Sequence, residues 1–432
     1  MGICLAMKEI RKRVREKLLS EKFQGAQRMK ETDFTRKRKL GFAEIFVVII
    51  KGAKRGLRAA VKEVAQSVRF EVNDYTEMAF CKARRKMNWT AFAEISELTA
   101  QAFYDAARRA RRWRGLRVWG IDGSKVNLPT NPETLAEFGS ENYPGGPRAQ
   151  GLASCLYDAL NAVTLHAVLE RFDASERDLA AEHLRKLERF CKEQGTNPSL
   201  ELLTMDRGYP SEGLIRQAME AGFSFVIRVN RRHFWKELSH LNGPDCLIRH
   251  GGMTLRAVTI PLKEPEKTQS GKIVREATFL TNLPAEEYSV EDIAELYALR
   301  WRSEVHYGFL KSRVELENFT GLSPLCVRQD FHAAMVLSNL IAASFYDASL
   351  CAERYSEGKK WEYKPNYAET YRELRRNVFD LILSRSEWSY RRAYGKLQKE
   401  IAKSLIPVRN DRHPQRGKPR RSPRFFHNHK PS

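Results

Sequence analysis

Residues 199–229 read SLELLTMDRGYPSEGLIRQAMEAGFSFVIRV, and the fold turns on this stretch. LELLTM is a short apolar run of strand length. DRGYPS supplies the glycine and proline of a loop. SEGLIRQAMEAG carries apolar residues at helical spacing, and FSFVIRV returns to aromatic and β-branched residues. The stretch therefore predicts a buried strand, a loop, a helix and a further strand.

Upstream, the period changes from helical to strand-like at Leu116, where LRVWGIDGSKVNLP alternates until Pro129 ends it. GPRAQ (146–150) reads as a turn. GLASCLYDALNAVTLHAVLERFD reads as two strands joined by ALN, and SERDLAAEHLRKLERFCKEQG as an amphipathic helix. Three strands, helix, strand, helix, strand is the order of a mixed α/β sheet with helices on both faces. Residues 230–288 then become β-rich, with strands expected in MTLRAVTIPL and KIVREATFLTNL and a turn in KEPEKTQSG. This segment reads as an insertion. Helices resume over residues 289–346 and again over 367–404.

The 432-residue chain carries a formal net charge of +22, which points to a polyanionic partner. Residues 1–115 hold 28 Lys and Arg against 13 Asp and Glu, and residues 403–432 hold 9 against 1. The middle is then close to neutral. The predicted organisation is a helical, basic DNA-binding region (1–115), a catalytic domain (116–345, with 230–288 inserted), a helical region (346–406) and a basic, disordered tail (407–432). The seven cysteines are scattered without a CxxC pair, so neither a disulfide framework nor a zinc site is indicated. The longest apolar run, FAEIFVVII, is too short to span a bilayer and contains Glu44. The first 40 residues lack the apolar core of a signal peptide. These features set the expectation of a cytoplasmic, nucleoid-associated protein with no membrane partner.

Three acids stand out. Asp122 interrupts an apolar strand run in GIDGSKV, Asp206 follows the strand LELLTM, and Glu304 lies in the helical YALRWRSEVHYGFLK. A lone Asp at a strand end is as often a turn residue. The three together can enclose two divalent cations, because Mg²⁺ takes oxygen ligands and phosphate and water complete its shell. On a continuous helix, Tyr297, Arg300, Glu304 and Lys311 would share a stripe about 60° wide. Leu296, Leu299, Trp301, Val305, Phe309 and Leu310 surround it with apolar side chains. A solvated salt-bridge face would not be so flanked, and the arrangement points to an anionic ligand.

With these residues in view, the chain resembles the DDE transposases of bacterial insertion sequences, in the insertion sequence four group. Tyr297, Arg300, Glu304 and Lys311 match that group's Tyr-Arg-Glu-Lys signature, and GIDGS and MDRGYPS match the settings of its two aspartates. The resemblance is good over residues 116–343. It implies a ribonuclease H-like core with a β-rich insertion before the Glu-bearing helix. It also implies Asp122, Asp206 and Glu304 as catalytic metal ligands, and Mg²⁺ as the metal, two ions, with Mn²⁺ substituting. The phosphate-holding residues would be Tyr297, Arg300 and Lys311, joined by Arg207 of the DRG triplet. The implied partners are double-stranded DNA, both element ends and target, and a second copy of the chain. Two other readings compete: a metal-dependent nuclease on the same fold, and a DNA-binding protein that has lost catalysis. The charge split disfavours the first, and the presence of all three acids disfavours the second.

Overall fold

The computed structural model describes residues 5–36, 41–52, 76–230, 235–267, 271 and 273–409. Of the tail expected to be disordered, 407–432, the start is ordered, with Pro407 in a short strand and the Val408 N–H bonded to the Glu362 carbonyl, while 410–432 lie outside the described residues, as does the stretch 53–75. The N-terminal helices are α1 (Leu5–Leu19), α2 (Glu21–Ala26), α3 (Phe42–Lys51), α4 (Glu77–Arg84) and α5 (Thr90–Ala106). Next come β1 (Arg117–Asn127), α6 (Pro132–Phe138), β2 (Ser140–Tyr143), β3 (Gly146–Asp158), β4 (Val163–Arg171) and α7 (Glu176–Gln194). These lead to β5 (Glu201–Met205), α8 (Glu212–Glu220), β6 (Ser224–Val229), α9 (Lys236–Ser239), β7 (Asp245–His250), β8 (Met253–Lys267) and β9 (Ile273–Thr281). The chain continues with α10 (Val290–Leu299), α11 (Trp301–Phe309), a π-helical turn (Leu310–Val314) and α12 (Pro324–Ser356). The last elements are β10 (Tyr363–Lys364), α13 (Tyr367–Leu383), α14 (Glu387–Ala402) and β11 (Ile406–Pro407).

Two compact units emerge. One comprises residues 1–108, 126–151 and 310–432, and the other 109–125 and 152–309. The first is mainly helical. Its centre is α12, which is capped by Ser323 and begins at Pro324. This helix is long and apolar enough to cross a membrane, but 78% of its most apolar window is buried inside the protein, as in a core helix. The run FAEIFVVII forms α3 and is likewise buried. Arg84 of α4 is buried and fully engaged: it donates to the Gln329 and Thr320 side chains, the Cys326 carbonyl and Asp330.

The second unit is the mixed sheet with helices on both faces that the order of elements predicted. The sheet runs β2-β3-β1-β5-β6-β9-β8-β7, with β4 also paired to β3, and the β-rich segment extends it through β9, β8 and β7. β1, β5 and β6 pair in parallel, and β6, β9, β8 and β7 pair antiparallel. All of β5 is buried, as a central strand covered on both faces must be. Side chains alternate across a strand. Val118, Leu202 and Val226 pack with Ile293 and Leu296 of α10. Trp119 lies on the opposite face, where its ring meets Phe190 of α7 edge-on at 6.3 Å.

Three expectations are corrected. GPRAQ is not a turn but the start of β3, paired with β2; Pro144 and Gly145, the latter at φ 112°, make the turn just before it. KEPEKTQSG is partly strand, since β8 runs to Lys267 across a bulge between Pro261 and Glu266. The helix expected through residues 297–311 breaks at Arg300, whose N–H bonds to the Tyr297 carbonyl in a tighter turn. No glycine or proline marks that break. It falls between side chains that anchor separately to the sheet: Tyr297 to Asp206, then Arg302 to the Ala159 carbonyl.

Candidate active site

The register of the parallel strands places the two aspartates. Val118 pairs with Leu202, Gly120 with Thr204 and Ile121 with Met205. One step further along, Asp122, within β1, and Asp206, just past the carboxyl end of β5, come level on the face covered by α10 and α11. Gly120 lets α11 approach: a Cβ there would collide with the buried Ser303 Oγ. The residue after Ser303 is Glu304, so this close approach brings the third acid to the site.

The charges interlock. Asp122 has its pKa pushed up to about 6, mainly by burial, with Glu304 and Asp206 adding to the rise and Arg300 opposing it. Arg300 Nη2 donates to Glu304 Oε1 at 2.7 Å, and the Tyr297 hydroxyl donates to Asp206 Oδ1 at 3.1 Å. Burial chiefly, with the charge of Asp206 adding to it, pushes the Tyr297 phenol up to about 12. Arg300 stays firmly charged: burial works against it, but Tyr297, Glu304, Asp206 and Asp122 together raise its pKa.

The stripe expected on a single helix is therefore distributed. Tyr297 lies on α10, Arg300 at the break, Glu304 on α11, and Lys311 in the π-helical turn, where it pairs with Glu317 at 3.9 Å. Burial lowers the Lys311 pKa. Arg207 is exposed beside Asp206. Of the flanking apolar residues, Trp301 and Val305 are exposed at 47% and 59%, so the helix is less enclosed than its sequence suggested.

Sequence reading missed several supports. The Tyr307 hydroxyl, buried, donates to the carbonyls of Asp122 at 3.0 Å and Ala153 at 3.2 Å. Ser154 Oγ approaches the same Asp122 carbonyl at 3.4 Å and meets His183 Nε2 at 2.9 Å. Burial drives the His183 pKa down to about 3, so the ring is neutral. Glu176, the first residue of α7, brings its carboxylate beside Gly123 and Gly208, the neighbours of the two aspartates. Only the glycines of GIDGS and DRG hinted at such close approaches.

The transposase DDE domain family matches residues 113–340. The putative transposase InsL of insertion sequence element IS186A of Escherichia coli (strain K12) is 32% identical over 307 residues, covering 60% of this chain and 78% of that protein. The chain belongs to the DDE transposases. The transposase of insertion sequence element IS421 of Escherichia coli is similar to the same extent, 32% over 307 residues. Among solved structures, a piggyBac transposase synaptic complex with hairpin DNA is similar over 92% of this chain and 86% of that one, at 11% identity and a TM-score of 0.48. This transposase is an enzyme that binds DNA, cleaves it and transfers its strands in cut-and-paste transposition.

DDE transposases use divalent metal ions, and the donor set of this transposase fits such a group. Asp122, Asp206 and Glu304 offer only hard oxygen, and the mutual repulsion felt at Asp122 is what a cation would relieve. Among the described residues, no three His, Cys, Asp or Glu side chains already stand as a metal cage. Glu304 is instead turned to Arg300, and Asp206 accepts from Tyr297.

Proposed function

We propose that Asp122, Asp206 and Glu304 are the catalytic carboxylates and that they hold two Mg²⁺ ions, with Mn²⁺ able to replace them. The observation that carries this reading is the register that levels Asp122 with Asp206 beneath the helix bearing Glu304. Bound there, the cations would activate the attacking oxygen and stabilise the leaving one. The chain's own groups do the rest. Glu304 exchanges its Arg300 partner for the cation site, and the freed guanidinium turns its planar fork to a phosphate of the DNA. The Tyr297 phenol, which stays protonated, donates to the same backbone. Tyr307 holds the main chain at Asp122 fixed throughout.

Arg207 and Lys311 take further phosphates. The DNA substrates are the terminal inverted repeats of the element and the target duplex, with two copies of the chain assembled on the ends. The basic N-terminal region supplies much of the non-specific grip.

The test is cleavage of a duplex carrying the element's terminal repeat, in Mg²⁺ or Mn²⁺. Asp122→Asn, Asp206→Asn and Glu304→Gln should each abolish cleavage while retaining DNA binding. Wild-type cleavage by any one of them removes that residue from the site.

A further inference from the structure

Glu176 is the first residue of α7, and its helix does not need its side chain as a cap. Ser175 Oγ already accepts the Asp178 N–H. The Glu176 carboxylate instead points at the two aspartate-bearing segments, β1 and the loop after β5. A Cβ on Gly123, next to Asp122, would collide with Glu176 Oε1. A Cβ on Gly208, two residues after Asp206, would lie 3.6 Å from Oε2. Both segments have a glycine where this carboxylate comes in. Burial and the charge of Asp206 both raise its pKa.

A second observation comes from Tyr209. It is 2% exposed, and among the described residues its hydroxyl finds no hydrogen-bond partner. The charges acting on that phenol are Glu176, Asp122 and Asp206, with Arg300 opposing. A buried, unpaired donor costs about 1–3 kcal/mol, and is completed when an acceptor arrives. An oxygen held among these three carboxylates, from water or phosphate on a cation, would be that acceptor.

We propose that Glu176 is a fourth carboxylate of the catalytic centre, ligating a divalent cation together with Asp122 and Asp206, with Tyr209 donating to an oxygen of that cation's shell. The proposal rests on the assignment of Asp122 and Asp206 as cation ligands. A purely structural Glu176 would only stabilise the N-terminus of α7, a role that aspartate fills as well.

The experiment is a titration of the full-length protein with Mn²⁺ alone, following free Mn²⁺ by electron paramagnetic resonance, with no DNA and no turnover. Glu176→Gln keeps the side chain's volume against Gly123 and Gly208, and is expected to weaken Mn²⁺ binding by roughly 10-fold or more. Glu176→Asp keeps the charge at the helix start but withdraws the carboxylate by one methylene, and should weaken binding too. Asp122→Asn is the reference. If it loses Mn²⁺ while both Glu176 variants bind as wild type does, the fourth ligand is overturned and the three-carboxylate site stands. If Asp122→Asn also binds as wild type does, the underlying assignment fails with it. Thermal unfolding without metal checks each fold, and if Glu176→Gln does not fold, the Glu176→Asp titration decides.

Discussion

The Tyr307 hydroxyl donates to the main-chain carbonyl of Asp122 at 3.0 Å, tying α11 to the strand that carries the first acid. The same hydroxyl reaches the Ala153 carbonyl on β3 at 3.2 Å. Tyr307→Phe removes both bonds and leaves the ring in place. A loss of about 1–3 kcal/mol in stability is expected, since buried carbonyls lose a donor. The cleavage rate should fall as well, because Asp122 loses its fixed backbone. Urea unfolding and single-turnover cleavage measure the two, and unchanged cleavage with lowered stability would reduce Tyr307 to a fold residue.

Gly120 and Ser303 form a coupled pair. Gly120→Ala places a methyl against Ser303 Oγ and should destabilise by about 1–3 kcal/mol. The double variant Gly120→Ala with Ser303→Gly makes room for that methyl. A double-mutant cycle should give a favourable coupling of at least about 0.5 kcal/mol in the pair. Strict additivity would mean that α11 does not sit where the site requires it.

Arg300 donates to Glu304 at 2.7 Å across one helical turn. If its purpose were only to staple the helix, Arg300→Lys would keep the charge pair and be nearly silent, since helical i,i+4 pairs contribute about 0.3–0.5 kcal/mol. If the guanidinium passes to a DNA phosphate, lysine cannot reproduce the planar fork. Binding to pre-cleaved element ends should then weaken by about 10-fold, at 1.4 kcal/mol for the lost contact. Wild-type binding by Arg300→Lys would return the pair to a structural role.

Asp347 of α12 accepts from the Ala6 and Met7 N–H groups at the start of α1 and from the Tyr394 hydroxyl at 2.6 Å. Burial pushes its pKa up to about 6, against these three bonds. A folded-state pKa above the unfolded one means that the folded protein holds the proton more tightly. The stability from this group is complete below the unfolded carboxylate value near 4, and is lost as pH rises through about 6. About 3 kcal/mol is at stake, at 1.36 kcal/mol per pKa unit. Asp347→Asn should flatten this part of the unfolding free energy between pH 4 and pH 6. A wild-type slope in Asp347→Asn would assign the dependence to another group.

By itself, the sequence determined most of the succession of strands and helices from β1 to β6 and the turn to β structure after residue 230, and it singled out three acids. These were legible because burial imposes a period on a strand or helix, and an aspartate breaking such a period is conspicuous: Asp122 in VWGIDG and Asp206 after LELLTM. The Tyr-Arg-Glu-Lys spacing was legible as composition. Its placement was not, because the break at Arg300 follows from bonds to Asp206 and to the Ala159 carbonyl, residues far away in the chain. The β2–β3 hairpin was misread because GPRAQ has the composition of a turn and becomes strand only through its partner.

Only the tertiary structure decided which groups meet. Parallel pairing levels Asp122 with Asp206, a missing Cβ at Gly120 admits Ser303, and another at Gly123 admits Glu176. In sequence, Glu176 is one more acid in a helix's first turn, where acids are common because the helix dipole favours them. Its proximity to Asp206 is a product of the crossover from β4 through α7 to β5. Local residues set the period of each element; the contacts across the sheet set the chemistry.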